Sequence, residues 1–303
     1  VLDLSIAIPI YNESGNLDLL YSRLNDVLPG MKVSYEIIFV NDGSADNSLE
    51  IIQQLSQKDP QVKYINFSRN FGHQIAIYAG MSSAKGQAVV TMDGDLQDPP
   101  ELIAELYKEY SEKGCDIVYA KRRKRKGGSP LKRLCYKLFY RIFSRITSVD
   151  IPLDVGDFRI VSKKVTRLLK QMPEQEKFLR GQIAWMGLKS SCIEYERDAR
   201  ECGDPGYTYF KLLRLAIDGI TSFSNFPLKV ASITGFLVSF FAFLMVVRAL
   251  YIRLFTDKEL PEGFTFITII VLFLGGIQLI TIGIIGEYLS RMNSNIKNRP
   301  PYV

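Results

Sequence analysis

Along residues 1–200, short apolar runs alternate with segments whose apolar positions recur every three or four residues. The runs LSIAIPIY, YEIIFVND, VKYINFS, QAVVTMD and DIVYAKR are β-rich and nearly continuously apolar, the pattern of strands buried on both faces. Between them, DNSLEIIQQLSQK and PPELIAELYKEY have helical spacing. Ser44 or Asp46 is the expected N-cap of the first, and prolines open the second. Strand alternating with helix predicts an α/β domain built on a mostly parallel sheet. Ligands of such sheets bind beyond the carboxyl ends of the strands, which selects residues 11–13, Asn41, Asp42, Arg69, Asn70 and a cluster starting at Asp93.

Beyond residue 200 the pattern changes. VASITGFLVSFFAFLMVV (230–247) and FTFITIIVLFLGGIQLITIGIIG (264–286) are long enough to span a bilayer, which takes about 20 helical residues. Two amphipathic helices are expected before them. One, over about 130–147, carries an apolar stripe from Leu131 to Ile146, with Lys137, Arg141 and Arg145 one turn apart. A basic helix with Phe and Leu on its other side suits a membrane interface, although a core helix with a solvated charged face has the same pattern. The other is YFKLLRLAIDGITSF, within a juxtamembrane segment at 201–227. The expected organisation is an α/β domain at 1–200, this juxtamembrane helix, and a two-helix membrane domain with its tail at 228–303.

Charge sharpens the picture through its placement. Lys and Arg number 38 against 32 Asp and Glu, yet residues 117–149 hold eleven of the basic residues and no acid. Such a block suits an anionic surface, whether phospholipid headgroups, nucleic acid or a phosphorylated substrate. The linker between the spans, RLFTDKELPEG, is not basic overall, so the positive-inside rule places both ends in the cytoplasm. The first apolar run is short and lacks a basic flank, and no signal peptide is expected there. The four cysteines form no CxxC pair and the single histidine, His73, excludes a multi-histidine metal site. His73, at a helix start, reads as a capping or packing residue. Chemistry must then rest on carboxylates, a metal or basic side chains.

Three strand-end motifs could carry it. In VVTMDGDLQDPP, Asp93, Asp95 and Asp98 crowd around a turn with Gln97, an arrangement that is costly without a compensating cation. Hard divalent ions such as Mg²⁺ or Mn²⁺ take oxygen ligands of this kind, but Asp also caps turns and helices. IPIYNESGN brings Pro9, Tyr11 and Glu13 to the end of the first strand. VNDGSADNS puts Asp42 at the end of the next, able to accept a hydrogen bond from a base or ribose, or simply to make an Asp-Gly turn.

Together these motifs resemble the GT-A (Rossmann-like) domain of family-2 glycosyltransferases. SRNFGHQIAIYAGMSSAKG, DGDLQDPP, GDFRIVSKKV, FLRGQIAWMG and the two spans extend the resemblance over the whole chain, to the polyprenyl-phosphate glycosyltransferases, bacterial relatives of dolichol-phosphate sugar synthases. The resemblance implies that Pro9, Tyr11, Glu13, Asp42 and Asp93 bind nucleotide, and that Asp93, Asp95 and Gln97 bind Mg²⁺ or Mn²⁺. It makes Asp157 of VGDFRIV the catalytic carboxylate, where the residues alone allow a turn before a strand. Arg122, Arg133, Lys137, Arg180 and Arg200 are candidates for the acceptor phosphate, since Arg suits bidentate phosphate contact. The implied reaction is inverting transfer of one hexose, glucose from UDP-glucose, to undecaprenyl phosphate at the cytoplasmic face of the cell inner membrane.

Two rival readings remain. A processive polysaccharide synthase would carry QxxRW, and here Gln182 is followed by Ile183, Ala184 and Trp185. An inactive protein that binds anionic lipid would explain the basic block but not the strand-end carboxylates. No nucleic-acid partner is expected; a homo-oligomer is allowed. One departure stands out: Arg197, Arg200 and Gly203 fit the family's pattern before the interface helix, while Pro205 and Gly206 replace its Ser-Lys pair.

Overall fold

The computed structural model describes residues 2–123, 155–196, 224, 226–255 and 263–303. The interface helix at 130–147, the juxtamembrane residues 201–223, the 203–207 loop, and with them Arg133, Lys137 and Arg200, lie outside the described residues. The chain divides into two compact units, Val1–Leu213 with Asn298–Val303, and Arg214–Lys297.

The first unit is built on seven strands: β1 (Leu4–Ile10), β2 (Tyr35–Asn41), β3 (Val62–Asn66), β4 (Ala88–Thr91), β5 (Ile117–Arg122), β6 (Val155–Ser162) and β7 (Ser190–Tyr195). Their order is β3-β2-β1-β4-β6-β5-β7. All the pairings are parallel except those of β6, which runs antiparallel to both β4 and β5. The mostly parallel sheet expected from the apolar runs is present. Asp157 lies within β6 and does not form a turn before it. Because β6 is reversed, with Arg159 opposite Thr91, its first residues sit beside the carboxyl end of β4. That reversal brings Asp157 to the edge where the parallel strands end.

Helices cover both faces. Alternate residues of β1, namely Leu4, Ile6, Ile8 and Ile10, pack with α1 (Leu17–Val27), α2 (Ser48–Lys58) and α4 (Leu102–Lys113). On the other face, Ala7, Val89 and Val161 meet Ile77 and Met81 of α3 (His73–Ser83), Val165 and Leu169 of α5 (Lys163–Gln171), and Leu179 and Ile183 of α6 (Leu179–Trp185). The start of α2 differs from expectation. Asn47 occupies the N-cap position, and Asp46, one residue earlier, accepts from the Ser48 N–H at 3.0 Å.

The loops after β1 and β2 are joined by side-chain bonds. Asn12, at φ 56°, accepts from the Ala45 N–H at 2.8 Å. The Asn12 N–H donates to Ser44 Oγ at 3.0 Å, and the Ser14 N–H to Asp46 Oδ2 at 3.0 Å. Beside them Gly43 has φ +66°, and a Cβ there would stand 2.4 Å from the Arg69 carbonyl carbon. Only glycine takes this conformation freely, and the close approach fastens the β2 loop to the loop after β3.

In the second unit, α7 (Phe226–Phe255) and α8 (Phe264–Ile296) pack on each other. Both are long and apolar enough to cross a membrane, and none of either apolar window is buried. Phe236, Phe241, Phe243, Leu279 and Ile280 are all exposed. A helix of a soluble core would bury such residues; lipid would cover them here.

Gly43→Ala combines a positive φ with a backbone clash, and should cost on the order of 1–3 kcal/mol. The measurement is the unfolding midpoint of the detergent-solubilised protein, expected to fall, with the α-helical content of the native state unchanged.

Candidate active site

The strand-end carboxylates are held in distinct ways. The turn after β4 is tight because Leu96 takes φ 58° with its side chain buried in the core, a strained conformation for a residue with a bulky side chain. A Cβ on Gly94 would lie 2.5 Å from Ile10 Cδ1 and 3.3 Å from the Pro9 carbonyl oxygen, so glycine lets this turn close against the end of β1. Asp95 is buried, and its Oδ1 accepts from the Gln97 N–H at 3.2 Å. Asp98 is fully buried; Tyr195 Oη donates to it, and Arg122 Nη2 lies 3.9 Å away.

At the centre is Asp157, with 3% of its side chain exposed. Arg180 donates to it bidentately, from Nε to Oδ1 at 3.0 Å and from Nη2 to Oδ2 at 2.8 Å. Arg159 Nη2 donates to Oδ1 at 2.9 Å and Gln74 Nε2 to Oδ2 at 3.1 Å. His73 Nε2 lies 3.5 Å from Oδ2 and 3.3 Å from Asp93 Oδ1, bridging the two carboxylates. Burial alone would raise the Asp157 pKa. The Arg180 charge, the His73 contact and Arg159 outweigh it and hold the carboxyl well below the usual range. Burial likewise opposes the His73 charge, but its contacts with Asp157 and Asp93 push the imidazole up to about 10. With 47% of that side chain exposed, solvent screens part of the attraction.

Arg159 is fully buried, and its Nε and Nη1 have no hydrogen-bond partner among the described residues. Burial lowers its pKa, and the nearby Asp157 charge opposes that. The Arg180 side chain is 32% exposed, so an anionic ligand can reach it.

The expected nucleotide residues occupy the ends of the first two strands. Pro9 is buried in β1 and Tyr11 is 49% exposed just beyond it. Glu13 Oε2 accepts from Asn16 Nδ2 at 2.6 Å. Asp42 is buried, and its carboxylate accepts from the N–H groups of Phe71 at 2.7 Å and Gly72 at 3.0 Å. Burial raises its pKa, opposed by those two bonds. Arg122, with 17% of its side chain exposed, donates to Tyr195 Oη at 3.4 Å and lies against the Gly156 backbone, next to Asp157.

Asp93 and Asp95, with Gln97 close by, offer hard oxygen ligands at one turn. Among the described residues no group of three or more His, Cys, Asp or Glu side chains could hold a metal alone. That donor set fits a divalent ion whose coordination is completed by substrate phosphates, the usual manner of Mg²⁺.

The profile of the family described as "Glycosyl transferase family 2" matches residues 5–169. The chain belongs to this family. Over 99% of its length it is 47% identical to an uncharacterized glycosyltransferase, YkcC, of Bacillus subtilis (strain 168), covering 92% of that protein. Over its whole length it is 37% identical to the bactoprenol glucosyl transferase of Shigella phage SfII, covering 97% of it. Among solved structures, glucosyl-3-phosphoglycerate synthase from Mycobacterium tuberculosis, in complex with Mn²⁺, UDP and glucosyl-3-phosphoglycerate, superposes with a TM-score of 0.50. It is 15% identical, and the match covers 73% of this chain and 78% of that one. The fold of this glycosyltransferase is thus GT-A.

Sequence reasoning passed over three members of the site. Arg159 lies in a quoted motif but looks like an ordinary strand residue, and only the antiparallel pairing of β6 turns it beneath the site. Gln74 is the second residue of α3, within SRNFGHQIAIYAGMSSAKG, where nothing singles out its amide. His73 was expected to cap or pack; Gly72 is the N-cap and His73 bridges two carboxylates. A lone histidine two residues after Asn-Phe, in a chain with no other, was the available signal.

Arg159→Met preserves bulk while removing a buried charge that Asp157 needs. Breaking such a pair typically costs about 3–5 kcal/mol, so the unfolding midpoint should drop markedly. Adding Asp157→Asn should recover part of the loss, because an amide requires no counter-charge. An unaltered midpoint in Arg159→Met would contradict the clamp.

Proposed function

We propose that this glycosyltransferase moves one glucose from UDP-glucose to undecaprenyl phosphate, with inversion, at the cytoplasmic face of the membrane. The observation that carries this reading is the state of Asp157. Its oxygens are occupied by Arg159, Arg180, Gln74 and the neighbouring His73. A carboxylate so held is a poor proton acceptor. A phosphate monoester needs none, because its second pKa is about 6 and the attacking oxygen is already largely ionised at neutral pH. Such an acceptor needs cations, and the site supplies them around Asp157.

In this reading the nucleotide lies along the strand ends at Pro9, Tyr11, Glu13, Asp42 and Asp93. Asp93 and Asp95, with Gln97, would hold a divalent metal, Mg²⁺ or Mn²⁺, which when bound would supply neutralising charge for the departing diphosphate. His73 adds positive charge next to Asp93. Arg180, oriented by Asp157, faces the acceptor phosphate, with Arg122, Arg133, Lys137 and Arg200 as further candidates. The bactoprenol named in the SfII phage relative, and the Mn²⁺ and UDP of the mycobacterial synthase, support the acceptor, the metal and the base. Helices α7 and α8 anchor the chain, and the basic residues 117–149 meet anionic headgroups. Anchoring raises the local concentration of an acceptor that never leaves the bilayer.

Purified protein incubated with labelled UDP- and GDP-sugars, Mg²⁺ or Mn²⁺ and polyprenyl phosphate should put label from UDP-glucose into the organic phase. No labelled lipid with any donor, at ample protein and metal, would sink the reading. In the same assay a chelator should abolish transfer, and Asp93→Asn and Asp95→Asn should each lower the rate by at least about 10²-fold. Transfer that survives chelation would remove the metal from the account.

A further inference from the structure

The segment Asn298–Val303 follows α8 in the chain but belongs to the first compact unit. The Tyr302 ring stacks on Phe67, with centroids 4.8 Å apart and planes 23° from parallel. The Val303 carbonyl accepts from the Ser68 N–H at 2.9 Å. Tyr302 thereby joins a small apolar cluster of Ile38, Val40, Phe67, Ala76 and Ala79, against which Phe71 and Ile75 also pack. This cluster is the underside of the loop after β3. Phe67 meets Phe71 edge-on at 5.6 Å, and Arg69 lies 4.1 Å over the Phe71 ring. The N–H groups of Phe71 and the next residue, Gly72, hold Asp42, and the loop then delivers His73 and Gln74 to Asp157.

We propose that Tyr302 is a positioning residue for nucleotide-sugar binding: the 298–303 segment is a strap that stacks on Phe67 and holds the 67–72 loop in the arrangement that presents Asp42. Three observations converge on it. The stack falls on Phe67, the aromatic residue that also braces Phe71 among the described residues. The backbone bond ties the next residue of the loop, Ser68. The loop itself contains Gly72 at φ +103° and abuts Gly43 at φ +66°, conformations with little bulk of their own to hold them in place. Aromatic pairs add modest but real stabilisation beyond the area they bury. Removing one should loosen the loop without unfolding a domain whose core lies elsewhere.

The assignment to the donor rests on the proposed function, so the test reads the loop separately from the chemistry. Full-length Tyr302→Ala and Tyr302→Phe are compared with wild type in detergent by amide hydrogen exchange and by transfer kinetics with UDP-glucose. Tyr302→Ala should lose protection at the Ser68, Phe71 and Gly72 amides. Its KM for the donor should rise roughly three- to tenfold with kcat little changed, as expected for a lost aromatic contact. Tyr302→Phe keeps the ring and should match wild type in both readouts. Unchanged protection in Tyr302→Ala overturns the strap, whatever the donor proves to be. Lost protection with an unchanged donor KM, or with a fall in kcat alone, overturns the link to the donor site. If wild type transfers no sugar at all, the functional reading fails while the exchange data still decide the strap.

Discussion

One buried carboxylate organises this site. Asp157 draws donors from three elements: Arg159 from its own strand, Arg180 from α6, and His73 with Gln74 from the start of α3. An ionised carboxylate away from water is tolerable only with such partners, and the partners in turn are fixed by it. For a guanidinium as buried as Arg159, the Asp157 charge is the largest of the interactions that keep it protonated. The reversed strand β6 makes the arrangement possible. Were β6 parallel, Asp157 would emerge at the opposite edge of the sheet from Asp93.

The same constraint shapes the chemistry. A carboxylate saturated by cationic donors stays ionised and orients those donors; it has little capacity left to take a proton. An acceptor that arrives as a phosphate already carries its nucleophilic charge. On the proposed reading, the protein must supply a field that tolerates two anionic groups, the acceptor phosphate and the departing diphosphate, on either side of one sugar. Arg180 and His73 flank Asp157, and on the same reading the Asp93–Asp95 turn would hold the divalent ion.

Much of this was legible in the sequence, and the part that was not has physical causes. The apolar runs that form β1, β2, β4 and most of β5 are continuous because both faces of the sheet are covered there, whereas β3, expected as a strand buried on both faces, lies at the sheet edge and alternates half-buried and exposed positions after Val62. β7 alternates exposed and half-buried positions at the sheet edge, and β6 carries an Asp and an Arg in its interior; neither has the signature of a buried strand. Asp93, Asp95 and Asp42 stood out because carboxylates at the ends of apolar strands are conspicuous. Arg180 stands among the candidates for the acceptor phosphate; its pairing to Asp157 depends on a contact between residues 23 positions apart, which no local pattern encodes. The same holds for Arg122, engaged with Tyr195 across 73 positions. Polar partners of this kind are set by tertiary structure, and sequence alone reveals only that a charge is present.

The most direct measurement of the central claim is the pH dependence of glycosyl transfer by Asp157→Asn beside wild type. If Asp157 organises cations around an acceptor that is already ionised, the variant should be impaired by a similar factor from mildly acidic to alkaline pH. Activity lost at neutral pH and regained at higher pH would make Asp157 a proton acceptor and contradict the account.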